Sequence, residues 1–561
     1  MNQQREDAKV DGIARFVEEH GTLLALGIVA VGLALRLSGF FGWWLNPDEG
    51  IYYSTVTQLH AENFWTEVRY QAHPPLYFVI LRGVGYLTKT FVGLRLIALV
   101  SGCAAIYAFV LAGRELGGGP GPRGQLSGKL TGQLTGLFSG LLLAVSPRAI
   151  ALSQLIRPYM FLVALLSCAL YLLLRYLRQP RGWLLIAYAG CATAAVLTHY
   201  SALLALGSLG VLVMVDGVRR GFARREWIRL LAIQVIPALT VVTLYVVHLR
   251  NLMSLDGAAN ATEGWLGAYM IRDAGDVWLS MMGFHSGMVG ETLAASAAIL
   301  TLVALGLAAR KRAWNVLSVG ASALFIAAAG AAAVLYPFGA TRHTAWLLVF
   351  VTPVLAWLLA MMFTSGRRLA GASAVVLAAL WLGGGGLGGL LGADTMPPEI
   401  SEHVLQQGHL EAMREVLDPQ AAPSVVFMST ETYQLLMPLY TSEREAARRS
   451  SDGVLVHFQW GSRHVIVIPT RDFTVLPNQV DYPNHLFNVA QRAVVEFPEI
   501  GLQNMDSILL LAAGWRSQGM ADLAEMAGDS GSLGSALGVP GLISVELDMV
   551  AYVRALSGDQ R

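Results

Sequence analysis

About eleven long apolar stretches decide what this chain of 561 residues can fold into. In hydrocarbon every backbone N–H and C=O must find its partner within the protein, so a spanning stretch of roughly 20 apolar residues is driven to be a helix. The runs predict spans at residues 21–41, 91–112, 134–151, 158–176, 183–198, 201–215, 228–248, 291–309, 314–336, 344–363 and 369–391. Charged residues are 14% of the chain, against roughly 25% in soluble domains. The expected fold is a polytopic α-helical membrane protein with a soluble C-terminal α/β domain.

One further apolar run, 75–87, is read differently. It is short, opens with Pro74 and Pro75 and carries Arg82, so it is expected to lie along the membrane surface rather than to cross it. Counting it as a span would also reverse the face of every later arginine cluster. Without it, Arg114, Arg123 and Lys129, then Arg175, Arg178 and Arg181, then Arg219 to Arg229, Arg310 to Arg312, and Arg367 with Arg368 share one side. That side is the cytoplasmic one by the positive-inside rule. The other side receives the first loop (42–90), the SQLIRPY and THY turns, a long loop (249–290), the turn at Arg342 and everything after residue 392. Arg36, near the end of the first span, is placed to snorkel. The charged N-terminal leader lacks a small-residue cleavage site, so the first run reads as a retained anchor. The GKLTGQLTG stretch (128–136) reads as a flexible cytoplasmic connection, and the glycine run 383–389 as a place for close helix packing.

Cys103, Cys168 and Cys191 all sit in apolar runs, so no disulfide framework is implied. A formal charge of +1 with no basic stripe points away from nucleic acid. From 393 to 561 the composition changes. PSVVFMS, DGVLVHF, RHVIVIP and SILLLAAG read as strands; ETYQLLMPLY, PNHLFNVAQRAVVEF and SQGMADLAEMA read as helices. Nothing in this domain has the spacing of a nucleophile elbow, a P-loop or a metal site.

The chemistry collects on the outer side. Asp48 and Glu49 follow the first span directly, with Tyr52 and Tyr53 just beyond. Arg95 lies near the outer end of the second span, Arg157 and Tyr159 in IRPY, and Arg342 and His343 in ATRH; His73 and His199 fall on the same side. Ionisable groups at the mouths of spans are costly to desolvate. A single arginine there is most simply a structural partner, but three beside an acidic loop suggest an anion site. A lipid phosphate is the natural anion, since its tail stays in the bilayer. A divalent metal on His73, His199, His343 and Glu49 is the less favoured reading, because these histidines lack helical i, i+4 spacing.

The DE pair after the first span, the HPPL box (73–76), the arginine opening the next span and the RPY turn resemble the GT-C glycosyltransferases. The pattern is nearest the protein O-mannosyltransferase and lipid A aminoarabinose transferase group, over residues 21–363. The resemblance implies a polyprenyl-phosphate-linked hexose or pentose as donor. It also implies inverting transfer to a hydroxyl of a protein, lipid or glycan, at the outer face of the inner (cytoplasmic) membrane, with no cofactor. Carried onto this sequence, Asp48 is the catalytic base, and Glu49 and His73 position the acceptor. Arg95, Arg157, Tyr159, Arg342 and His343 hold the donor phosphate. Two departures stand out. Ala72 and His73 occupy the place of the aminoarabinose transferases' acidic-lysine pair, and the first outer loop has no DxD, which weakens a metal-dependent mechanism. The competing reading is a lipid-linked-sugar flippase that leaves the sugar bond intact, although the internal repeats usual in transporters are not evident.

Overall fold

The computed structural model describes residues 2–41, 45–57, 61–69, 71–118, 125–250, 265–365 and 367–383. Towards the C-terminus it describes 425–429, 448–450, 455–460, 463–468, 482–502, 507–513 and 542–548. The helices are α1 (Asn2–Leu37), α2 (Pro47–Thr57), α3 (Ala61–Arg69), α4 (Leu76–Gly85), α5 (Phe91–Gly117), α6 (Gln125–Val145), α7 (Pro147–Leu152), α8 (Tyr159–Arg178), α9 (Gly182–Val196) and α10 (Ala202–Arg220). They continue as α11 (Arg224–Ile233), α12 (Val235–Leu244), α13 (Ala274–Val289), α14 (Ala294–Arg310), α15 (Trp314–Ala332), α16 (Leu348–Thr364), α17 (Arg367–Gly383) and, in the C-terminal region, α18 (Tyr482–Glu496).

Among the described residues, 8 helical stretches are long and apolar enough to cross a membrane: Arg15–Leu37, Phe91–Gly117, Tyr159–Arg178, Ala202–Arg220, Arg224–Leu249, Glu291–Arg310, Trp314–Ala332 and Arg342–Thr364. The expected runs 134–151, 183–198 and 369–391 correspond to α6, α9 and α17, which fall outside that set. At 15 residues, α9 is about 22 Å long. The 10-residue α4 spans only about 15 Å, half the hydrocarbon thickness.

The helices at the centre are α8 and α16, most of whose apolar side chains are buried. By contrast α12 turns Val235, Ile236, Leu239 and Val242 outward on one broad face, opposite the buried Pro237 and Leu244; so wide an exposed apolar face is suited to lipid.

One expectation is overturned in α6. The GKLTGQLTG stretch is helical rather than a flexible connection. Its glycines recur every four residues, which places them on one helix face, and that face lies on α5. A Cβ at Gly136 would stand 2.4 Å from the carbonyl oxygen of Val110, and one at Gly113 3.0 Å from the Cα of Gly136. Small residues here let two backbones approach to contact. Gly136→Ala therefore forces the helices apart and costs about 1–3 kcal/mol, read as a fall in thermal unfolding temperature. Gly190→Ala, at a helical site with nothing within 4 Å, leaves it unchanged or slightly raised.

Arg36 does not snorkel. It is wholly buried, donating from Nε to Ser153 Oγ (2.9 Å) and from Nη1 and Nη2 to the carbonyls of Gly32, Ala144 and Leu143. The last two lie in the final turn of α6, whose carbonyls a guanidinium is well suited to cap. Nor does the apolar run 134–151 form one span. Ser146 caps a new helix whose first residue is Pro147, accepting from the Ala149 N–H, and the chain breaks there because proline suits a first turn and not an interior.

Four of the arginines expected on the cytoplasmic side pair with buried acids. Arg175 and Arg178 of α8 pair with Glu115 of α5, and Arg219 and Arg220 of α10 with Asp216. The opposite end of α8 begins at Tyr159, 20 residues away, so its two polar ends stand about 30 Å apart, a bilayer core's thickness.

In the C-terminal region β1 (Val425–Ser429), β2 (Arg448–Arg449), β3 (Val456–Trp460), β4 (Arg463–Ile468), β5 (Ser507–Ala513) and β6 (Leu542–Asp548) form a six-stranded sheet in the order β2-β3-β4-β1-β5-β6. The central β4-β1-β5 pairs are parallel and the outer pairs antiparallel. The four expected strands are present, as is the helix at 483–497. The helices expected at 431–440 and 517–527 and the boundary at 392/393 lie outside the described residues. The expected loop 249–290 contains α13, which Asp273 and Asp276 start with a reciprocal cap.

Candidate functional site

Asn46, Pro47, Asp48 and Glu49 form the start of α2, and their spacing is that of a capping box. Glu49 N–H donates to Asn46 Oδ1 (2.8 Å), and Asn46 N–H donates back to Glu49 Oε2 (3.3 Å). Both acids lie in the first turn, where the helix dipole favours negative charge. Adjacent helical residues point about 100° apart, so the two carboxylates serve different partners.

Glu49 points inward. Arg95 of α5 donates to it through Nε (2.9 Å) and Nη2 (2.8 Å), and the Ile156 N–H adds a third bond (2.7 Å). Both side chains are fully buried, and Arg95 also lies over the Phe91 ring. Asp48 turns the other way, towards Arg157 Nη1 (3.3 Å) and Arg342 Nη2. The five side chains thus form two separate arrangements, a two-pronged pair within the protein and a carboxylate between two guanidiniums.

An aromatic wall adjoins the second arrangement. Arg157 lies over the rings of Tyr52 (5.0 Å) and Tyr159 (5.5 Å) and donates to the Tyr159 hydroxyl (3.3 Å). Tyr52 stacks on Phe78, and its hydroxyl is 2.8 Å from His73 Nδ1. The HPPL box is tied in place where the Leu76 N–H donates to the Leu197 carbonyl (3.0 Å). This sets the His73 ring 4.7 Å from His199; the Tyr159 ring lies 5.3 Å from His199 and 6.0 Å from His343.

Burial governs the charge states here. It pushes His73 well below the usual histidine range, helped by His199 and Arg157. It pushes His199 down to about 3, again helped by Arg157. Tyr52 is raised by burial. For Arg157 burial works against the charge, but Asp48 and the two tyrosines outweigh it and hold the guanidinium above its ordinary value. The wall therefore presents neutral imidazoles and phenols beside fixed cations.

Asp48, His73, Arg157, Tyr159, Arg342 and His343 come together as one site, while Glu49 and Arg95 form their own pair. Arg148 was not singled out from the sequence. It is buried behind the site, with Nη1 3.4 Å from Thr344 Oγ1, and its guanidinium packs where a side chain on Gly287 would stand. The sequence signal was Ser146-Pro147, which ends α6 and starts the short helix that carries Arg148. Among the described residues no group of three His, Cys, Asp or Glu side chains is placed to hold a metal ion; Glu49, in particular, faces Arg95 rather than the histidines.

This is a polytopic membrane protein with an arginine-clamped carboxylate at one end of its bundle, and its fold is the ArnT-like GT-C fold. Residues 125–245 match the family model of dolichyl-phosphate-mannose–protein mannosyltransferase. Two similar solved structures are ArnT from Cupriavidus metallidurans bound to undecaprenyl phosphate and the same protein in the apo state. The bound form is 15% identical, covers 94% of this chain and 97% of that one, and has a TM-score of 0.53. For the apo form the identity is 15%, the coverage 94% and 98%, and the TM-score 0.54. No curated protein matches the chain.

Proposed function

We propose that this chain is a GT-C glycosyltransferase that moves a sugar from a polyprenyl-phosphate donor to a hydroxyl acceptor, with inversion, at the outer face of the cytoplasmic membrane. The observation that carries this reading is Asp48 held between Arg157 and Arg342 beside the aromatic wall. The fold and the mannosyltransferase match over residues 125–245 support it.

The chemistry follows from the residue types. The acceptor oxygen attacks the anomeric carbon from the side opposite the phosphate and Asp48 takes its proton, as a positioned carboxylate does for a poor nucleophile. The bond between the anomeric carbon and the phosphate oxygen breaks, and its electron pair stays on the leaving polyprenyl phosphate. Arg157 and Arg342 stabilise that growing charge, with Tyr159 and His343 beside them. The same arginines hold the Asp48 carboxylate. A donor phosphate competes for them, and a carboxylate that loses two cationic neighbours becomes a better base. Donor binding thus prepares the base.

Glu49 and Arg95 have a different role in this scheme from the one their motif implies. Their ion pair is closed off from the site, and we assign it to bracing α2 against α5 so that Asp48 is aimed correctly. His73 remains the acceptor-side residue. The region after residue 392 lies on the same face.

If Arg157 and Arg342 share one phosphate, Arg157→Lys and Arg342→Lys each weaken donor binding, because lysine lacks the two-pronged geometry. The double variant then loses less than the product of the single losses. Titration of a polyprenyl-phosphate sugar into the purified variants measures this. The function itself is tested by mass spectrometry of envelope glycans from cells with and without the protein: a sugar missing from one acceptor class is expected, and identical glycans with an accumulated lipid-linked sugar on the inner leaflet would mark a flippase.

A further inference from the structure

His199 sits in the turn between α9 and α10 and is buried. Its Nδ1 accepts the backbone N–H of Ser201 (3.1 Å), with Ser201 Oγ at 2.9 Å. A backbone amide only donates, so Nδ1 carries the lone pair and a neutral ring keeps its proton on Nε2. That Nε2 is buried and makes no hydrogen bond among the described residues. Burying a donor without a partner is costly, and such a group in a polar site is a place where a ligand completes the bonding.

The surroundings say what kind of ligand. The rings of His73, Tyr159 and His343 lie 4.7, 5.3 and 6.4 Å from the His199 ring. Arg157, over Tyr159, supplies the charge for an anion. A neutral N–H among ring faces is poorly equipped to neutralise a phosphate. It is well equipped to donate one bond to a sugar oxygen while the ring faces meet the sugar's C–H surface.

We infer that His199 is a contact residue for the donor sugar, its Nε2–H donating to a hydroxyl or ring oxygen of the sugar carried on the lipid phosphate. This rests on the glycosyl-transfer reading above, and binding and transfer are measured separately to keep the two distinguishable. The probes are a panel of synthetic polyprenyl-phosphate hexoses and pentoses, with sugar-free polyprenyl phosphate, titrated into full-length protein in detergent. His199→Phe keeps a ring and removes the donor; His199→Gln keeps an N–H donor. His199→Phe is expected to weaken the tightest sugar lipid about 5- to 100-fold, the range for a buried group left without its partner. Binding of sugar-free polyprenyl phosphate stays within about twofold, and His199→Gln recovers most of the loss. Thermal unfolding of each variant separates lost contact from lost fold. Equal losses for both lipids, no loss for either, or a wild type that binds sugar lipids no better than the sugar-free one would overturn the inference. If the wild type binds a sugar lipid in the expected His199-dependent way yet transfers nothing, His199 stands as a sugar contact and the transferase reading falls.

Discussion

Asp48→Asn lowers transfer by about 10²- to 10⁴-fold, the range for losing a general base, and leaves donor binding unchanged or tighter. The amide keeps the volume of the carboxylate and its place on the first turn of α2, so the helix start is undisturbed. It no longer holds Arg157 and Arg342 by charge, and both become more available to the phosphate. Loss of rate with gain of affinity is an unusual combination. An Asp48 that acted only as a structural counter-ion would give the reverse, with weakened fold and weakened binding together. Rapid-mix transfer assays and donor titrations on one preparation measure both.

Glu49→Gln and Arg95→Met each destabilise the protein by about 3–5 kcal/mol, because each leaves one member of a buried ion pair uncompensated. The double variant recovers much of this, since neither orphan charge remains. Glu49 also accepts the Ile156 N–H, so its loss loosens the chain just ahead of Arg157, and transfer falls with stability. The measurement is thermal unfolding in detergent alongside donor titration. Had Arg95 held the donor phosphate, as its motif position implies, Arg95→Met would weaken donor binding and leave the unfolding temperature nearly intact.

The contrast between Arg95 and Arg157 shows where the sequence stops being informative. Both read as standing on the outer side beside the same acidic pair, and both read as phosphate ligands. What separates them is the 100° between Asp48 and Glu49 on α2, which sends one carboxylate to α5 and the other to the end of α8. The capping box was visible as Asn46 and Glu49 three residues apart, but the acids read first as chemistry. Most helices were legible because lipid leaves the backbone no other choice. The break at Pro147 was not, since a window dominated by leucine and alanine averages over one proline, and Arg148 went unnoticed with it. Glycines four apart in 128–136 looked like a linker for the same reason, because composition hides the face they share. In the C-terminal sheet, β6 alternates Ile543, Val545 and Leu547 as a half-buried strand does, and was legible though not read; β2 is only two residues long and carries no pattern.

The central claim is that the bond between sugar and lipid phosphate is broken here and that Asp48 is the base. It is tested most directly with purified protein in proteoliposomes, an acceptor, and a polyprenyl-phosphate sugar labelled separately on its sugar and its lipid. Sugar label is expected to move to the acceptor and free polyprenyl phosphate to appear in equal amount, both falling about 10²- to 10⁴-fold in Asp48→Asn. Both labels crossing the bilayer together on an intact donor, at the same rate in wild type and Asp48→Asn, would contradict it.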